Sequence, residues 1–384
     1  MKPLSQTVSG IPASGIRKFF DLVSEMEGAI SLGVGEPDFV TPQRIRDAAI
    51  ASLDAGKTAY TSNYGLLELR EAISEKVCER YGVSYAPKGE ILVTVGVSEA
   101  LDVALRAILD PGDEVLVVEP CFVSYKPCVA FAGGVPVPVP TSAETNFAVD
   151  LADLERLCTP KTKAILLSFP TNPTGAVMNR DGLQAVMDFC VEKDLWVLTD
   201  EIYDRLSYDA PHVCVPSLKG GRERTIYLNG FSKAYAMTGW RIGYACAPAP
   251  VIELMMKVHQ YAMMSAPTVG QYAALEGMRH AEPEVAEMIA EYKRRRNLFV
   301  EGLRSIGFDC GMPGGAFYAF PSVKKFGLSD DEFSGRLLNE QKVLVVPGSN
   351  FGAGGEGHVR CCYATSSEKL EEALVRIEKF VKTL

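Results

Sequence analysis

The sequence predicts an α/β protein: a large domain on a mostly parallel sheet sandwiched by helices, joined to a smaller α+β domain. Two observations carry that expectation. From about residue 42 to residue 279, short and continuously apolar runs alternate with helix-like segments. Such runs suit strands buried on both faces of a sheet. In the final third the rhythm changes to a long charged helix followed by strands and helices in mixed order, the pattern of a smaller α+β unit. A length of 384 residues leaves chain enough for two or three domains and a large core.

Taken in order, residues 91–95 (Ile-Leu-Val-Thr-Val) read as a strand and 98–109 as the helix after it. Residues 114–118 form the next strand, with a helix from about 124 to 132. A strand at 164–168 precedes a helix near 180–193. Runs at 195–199 and 225–228 complete the set. Beyond them, a charged helix is expected over roughly 283–306, where Lys293, Arg294, Arg295 and Arg296 read as a solvated face. Strands at 315–320, 343–346 and 358–363, a helix near 330–341 and a closing helix from Glu368 account for the rest.

Composition limits the partners. The chain is 47% hydrophobic and 23% charged, ordinary for a globular protein. A net charge of −9 and a pI near 5.2 argue against nucleic acid or an anionic membrane as main partner. Any anion it binds must be held by local groups. No apolar run approaches the roughly 18–20 residues of a membrane-spanning helix. The start, Met1-Lys2-Pro3-Leu4-Ser5-Gln6, lacks the apolar core of a signal peptide. Ten cysteines and four histidines show no pairing rhythm or metal-ligand spacing, and Cys190 and Cys246 read as buried thiols. These features predict a reduced, cytoplasmic protein.

Residues 229–241 are the most informative stretch. They leave the apolar strand at 225–228 and set Ser232, Lys233 and, eight residues beyond the lysine, Arg241 around two glycines. An amine so placed can form a Schiff base with an aldehyde, while hydroxyl and guanidinium hold a phosphate. Asp200 ends another strand, and in open α/β sheets ligands collect at the carboxyl ends of strands. By itself Asp200 also reads as a turn cap. Val95-Gly96-Val97-Ser98 runs from strand into helix at a glycine, so the N–H groups of Val97 and Ser98 would face an anion; a Ser-capped helix start is the alternative. Residues 352–357 satisfy G-x-G-x-x-G spacing but precede a strand, which makes them a loop.

Ser232-Lys233-x-x-x-Met237-x-Gly239-x-Arg241, with Asn172-Pro173-x-Gly175, Gly33-Val34-Gly35-Glu36-Pro37-Asp38-Phe39 and Arg360, resembles the class I/II aminotransferases. These are fold type I enzymes that use pyridoxal 5′-phosphate, and the resemblance covers nearly the whole chain. It implies that Lys233 carries the cofactor as a Schiff base and that Asp200 pairs with the pyridine nitrogen. Tyr203 and Asn172 would bond the phenolic oxygen, and Phe122 would stack on the ring. Val97, Ser98, Ser232 and Arg241 would hold the phosphate. Tyr60, with Tyr64 a nearby competitor, would reach the phosphate of a neighbouring subunit, which implies a homodimer with shared active sites. Arg360, with Gly35 and Asn172, would receive the substrate's α-carboxylate.

The resemblance also makes the small domain discontinuous, from residues 1–41 and 281–384, and leaves 42–280 as the large cofactor-binding domain. The implied reaction is ping-pong transfer of an amino group from an L-amino acid to a 2-oxo acid such as 2-oxoglutarate. Ser98 stands where some aspartate-specific relatives carry a lysine. Expectation therefore leans towards aromatic or broad donor specificity over an aspartate- or alanine-type enzyme. The same fold and lysine also serve carbon–sulfur lyases. A ligand-sensing regulator is the non-enzymatic alternative, although such proteins normally add a basic DNA-reading segment that is missing here.

Overall fold

The computed structural model describes residues 2–13, 15 and 26–384; the expectation for the rest of the first forty residues lies outside the described part. In chain order the strands are β1 (Ile30–Ser31), β2 (Ile91–Thr94), β3 (Glu114–Glu119), β4 (Val135–Pro140), β5 (Thr162–Leu167) and β6 (Trp196–Asp200). They continue with β7 (Thr225–Gly230), β8 (Gly243–Cys246), β9 (Tyr318–Ala319), β10 (Val343–Leu344), β11 (Val346–Pro347) and β12 (Val359–Cys362).

Seven strands make one sheet in the order β2-β8-β7-β6-β5-β3-β4. Neighbours run parallel except at β8, which is antiparallel to both β2 and β7. Val115 and Val117 face the layer formed by helices Gly96–Ile108 and Ala249–Ala262. Leu116 and Val118 face the opposite layer, with helices Leu151–Leu157 and Arg180–Glu192. Both faces are covered, so nothing selects for polar alternation and the strands read as unbroken apolar runs.

Two strands of this sheet escape the sequence reading. β4 is Val-Pro-Val-Pro-Val-Pro, and three prolines argue against a strand in a sheet interior. It pairs only with β3, at the sheet's edge, where missing N–H groups cost no ladder bonds. β8 is four residues long and follows directly on the 229–241 stretch.

The remaining strands form two small groups: antiparallel β11-β12-β9 and the parallel pair β1-β10. β1 thus joins the chain's beginning to its last third. The short helix Gln6–Gly10 goes elsewhere and touches helix Tyr125–Phe131 beside the large sheet. The long helix Glu282–Ile306 corrects the reading of its basic run as a solvated face. Arg295 and Arg296 are buried, on the same face as Tyr292, Phe299 and Val300. Arg295 donates to both Asp38 oxygens at 2.7 and 2.8 Å and lies over the rings of Phe39 and Tyr292. Arg296 pairs with Asp209 and donates to the Pro313 carbonyl at 2.9 Å. Only Arg294, paired with Glu291 on the exposed face, behaves as expected. The helix's 3.6-residue turn separates neighbours by about 100°, so one basic run serves two environments. All ten cysteines are free thiols. No helix among the described residues is long and apolar enough to cross a membrane.

Candidate active site

Parallel strands put their carboxyl ends along one edge, and that is where the chemistry gathers. Past the ends of β2, β3, β6 and β7 come Val97 and Ser98, Phe122, Tyr203, and Ser232 with Lys233; Asp200 is the last residue of β6. The loop after β5 brings Asn172. The loop after β1 brings Gly35, and β12 brings Arg360. All of these, with Arg241, line one cavity of about 680 Å³. Of the residues given a role in the sequence, Tyr60 and its competitor Tyr64 lie outside it.

At the cavity's centre, Lys233 Nζ donates to the Gly35 carbonyl at 2.7 Å. Burial brings this amine down to about 8, against the opposing pull of Glu36. A side chain at Gly35 is excluded, because a Cβ there would meet the Tyr318 hydroxyl at 2.3 Å. Asp200 is buried, with Oδ2 accepting from the Tyr125 hydroxyl at 2.8 Å and Oδ1 from the Ile202 N–H at 3.2 Å. The turn cap is therefore present, but it occupies one oxygen only. Burial pushes the carboxyl up to about 6, while the Tyr125 bond, the Ile202 N–H and Lys233 hold it back.

Elsewhere in the cavity, Arg360 is buried and donates from Nη1 to Asn172 Oδ1 at 2.9 Å and from Nη2 to the Gly33 carbonyl at 2.5 Å. Its Nε has no partner. The guanidinium packs over the rings of Tyr318 and Phe351, 4.6 and 4.8 Å from their centroids. Among the described residues no carboxylate pairs with it. A buried cation without a counter-ion is costly. Tyr203 shares a 2.7 Å hydrogen bond with Tyr318, and burial pushes both phenols up.

The far end suits an anion. Helix Gly96–Ile108 starts with Val95 as its cap residue, which offers no side-chain cap, and Ser98 sits inside the first turn. Ser98 is thus not the helix cap, and the N–H groups of Val97 and Ser98 belong to the unpaired first turn that favours negative charge. Gly96 has φ +71° and lies against Arg241, where a Cβ would come within 2.5 Å of the guanidinium. Only glycine combines that backbone with that approach. Tyr60 is 78% exposed. Tyr64 is instead packed into its own chain, with the Arg70 guanidinium 5.7 Å from its ring centroid.

Sequence reasoning missed Tyr125 and Tyr318. Tyr125 lies three residues after Phe122, at the start of a short helix, and that spacing was the available signal. Tyr125→Phe removes the only side-chain donor to Asp200 Oδ2. A bond of this kind to a charged group contributes about 1.5–3 kcal/mol, so kcat is expected to fall roughly tenfold or more. The lost bond favoured the ionised carboxylate, so Asp200 should titrate higher. The acid limb of the pH–rate profile should move to higher pH; an unmoved limb would remove Tyr125 from this role.

The donor set fits pyridoxal 5′-phosphate. An amine stands where an aldehyde would react, and a carboxylate is available for a ring nitrogen. Two helix N–H groups, a hydroxyl and a guanidinium surround space for a phosphate. Comparison with known proteins agrees. A family model for aminotransferase class I and II matches residues 27–377. The chain is 47% identical to aromatic-amino-acid aminotransferase 2 of Thermococcus litoralis, covering 99% of this chain and 98% of that one. It is also 47% identical, over the same shares of each chain, to an aspartate aminotransferase of Pyrococcus abyssi. The solved structure of an aromatic aminotransferase from Pyrococcus horikoshii OT3 superposes with a TM-score of 0.91 at 46% identity, covering 96% of this chain and 99% of that one. With the family matched along nearly its whole length and the fold shared at high identity, this chain belongs to the class I and II aminotransferases.

Proposed function

We propose that the protein is a pyridoxal-phosphate-dependent aminotransferase that prefers donors with aromatic or otherwise uncharged side chains. The observation that carries the reading is Arg360, a buried guanidinium without a carboxylate partner among the described residues, in the same cavity as the Lys233 amine and the Asp200 carboxylate. When bound, the cofactor supplies an aldehyde that condenses with amines and a ring that takes up electrons from the substrate's α-carbon.

Arg360 clamps the α-carboxylate through two parallel hydrogen bonds and so fixes which bond at the α-carbon stands across the ring. Asn172, already bonded to Arg360, holds that fork in place. Lys233, brought down to about 8 by burial, takes the α-proton at Nζ in its neutral form and would return it to the carbon derived from the cofactor's aldehyde. Asp200, in its ionised form, would hold the cofactor's ring nitrogen and keep it protonated. Phe122 would cover the cofactor's ring and exclude water, and Tyr203 would bond its phenolic oxygen.

Among the described residues three cations line the cavity, Lys233, Arg241 and Arg360; each has a task, and none of the three is left for a second substrate carboxylate. Val34, Leu101, Phe122 and Ile202 supply apolar wall. With 2-oxoglutarate as acceptor, tyrosine, phenylalanine and tryptophan should exceed aspartate in kcat/KM by about tenfold or more, the difference that about 1.4 kcal/mol of side-chain binding makes. Activity confined to aspartate would refute this preference. Pyruvate and ammonia released without an acceptor would point to a carbon–sulfur lyase.

We also infer a cytoplasmic homodimer in which Tyr60 reaches the partner's phosphate. The exposure of Tyr60 supports this, as do Tyr261, Met263 and Met264, which expose 88%, 51% and 49% of their surface in one turn. The division into a large domain of residues 42–280 and a small one of 1–41 with 281–384 belongs to the same reading, and the pairing of β1 with β10 supports it.

A further inference from the structure

Helix Ala249–Ala262 buries Val251, Ile252 and Met255, and the same stripe ends in His259, which has no exposed surface. Packing would accept leucine there, and an unpaired imidazole in such a place is unfavourable. Its partner is Glu99, in the first turn of helix Gly96–Ile108: His259 Nδ1 lies 2.6 Å from Glu99 Oε1. An ionised carboxylate only accepts, so Nδ1 carries the hydrogen. The other Glu99 oxygen accepts the Val95 N–H at 2.5 Å. Among the described residues His259 Nε2 has no partner, and the imidazole's single side-chain bond is the one to Glu99.

Val95 is the helix's cap residue and has no side chain able to cap. Glu99 does the fastening in its place, from one turn further along. The residue between them and the cavity is Gly96, held at φ +71° with the Arg241 guanidinium against it. Thr94 Oγ1 donates to the Gly96 carbonyl at 2.9 Å, so side-chain bonds pin this turn from two sides.

We propose that Glu99 and His259 form a positioning pair that keeps the N–H groups of Val97 and Ser98 aimed at the cofactor's phosphate. The proposal rests on the reading of the cavity given above. Neither residue lines the cavity or approaches Lys233 and Asp200, so the pair acts on the phosphate alone.

That separation supplies the test. Binding of pyridoxal 5′-phosphate and of pyridoxal, which lacks the phosphate, is titrated by visible absorbance on the full-length apoprotein. His259→Leu should lower the ratio of the two affinities about tenfold, as expected for loss of a bond to a charged group, with pyridoxal itself bound as before. Glu99→Gln keeps an oxygen for Val95 and, with the imidazole in its Nε2–H tautomer, an amide donor to His259 Nδ1, and should hold the ratio within about twofold. An unchanged ratio in His259→Leu, or equal weakening of both ligands, overturns the proposal. Should that variant fail to fold, Glu99→Ala cuts the same link from the other side, and there too an unchanged ratio overturns it. A wild-type protein that binds neither compound overturns the cavity's reading and the pair's role with it, an outcome distinct from failure of the pair alone.

Discussion

Lys233→Ala is expected to abolish transamination and, with it, the visible absorbance of the bound cofactor. Two roles are lost together: the covalent hold on the aldehyde, and proton transfer at the α-carbon. The second alone is worth about 10²–10⁴-fold in rate. Lys233→Arg should not rescue, because a guanidinium stays protonated and is not a nucleophile. The site's burial explains why this lysine can serve. Its amine titrates near 8 instead of the ordinary 10.5. At pH 7 about one amine in ten is then neutral, against roughly one in three thousand for an exposed lysine. Cofactor capture by the apoprotein should accordingly speed up as pH rises towards 8 and level off above it. Stopped-flow absorbance checks this; a rate still climbing steeply at pH 10 would mean the amine is not depressed. Full turnover in the alanine variant would exclude Lys233 from the chemistry.

How far the site could be read from the sequence depended on where each residue lay. Lys233 and Asp200 end or follow apolar strands, and the parallel sheet sends all such ends to one edge, so strand position nearly fixed their meeting place. Gly35 and Arg360 were harder. They come from β1's loop and from β12, and only the closing of the smaller strand groups over the large sheet brings them to the cavity. Nothing local in the sequence records that closure. Tyr125 escaped because its value lies in a bond to a residue 75 positions away, and Tyr318 because its hydroxyl matters through the missing side chain at Gly35. The basic run at 293–296 was misread for a related reason. Charge count predicts a wet surface, whereas the pairs that the buried Arg295 and Arg296 make with Asp38 and Asp209 arise from distant loops folding onto the helix. Proline hid β4, since its place at the sheet edge is a property of topology, not of composition.

Asp200→Asn separates the two meanings that this residue carried from the start. Asparagine caps turns about as well as aspartate, so the Ile202 N–H keeps an acceptor and the fold should keep its stability. The amide NH2 then stands in place of Oδ2 and donates to the Tyr125 hydroxyl, which turns to accept. The charge disappears with little change of shape. If Asp200 were a structural cap, the variant would behave as wild type. If it faces a protonated ring nitrogen, removing its charge withdraws support for the electrons that leave the α-carbon, and kcat should fall about 10²–10³-fold, the usual cost of losing one preorganised electrostatic partner. KM for the amino donor should change little, because Arg360, Asn172 and Gly35 still bind the carboxylate. Asp200 titrates near 6, raised by burial. Wild-type activity should therefore decline as pH falls through that value and the carboxylate takes up a proton. The asparagine variant, with nothing to titrate there, should lose this acid limb. A variant with unchanged kcat and an intact limb would assign Asp200 to the turn and leave the ring nitrogen without its partner.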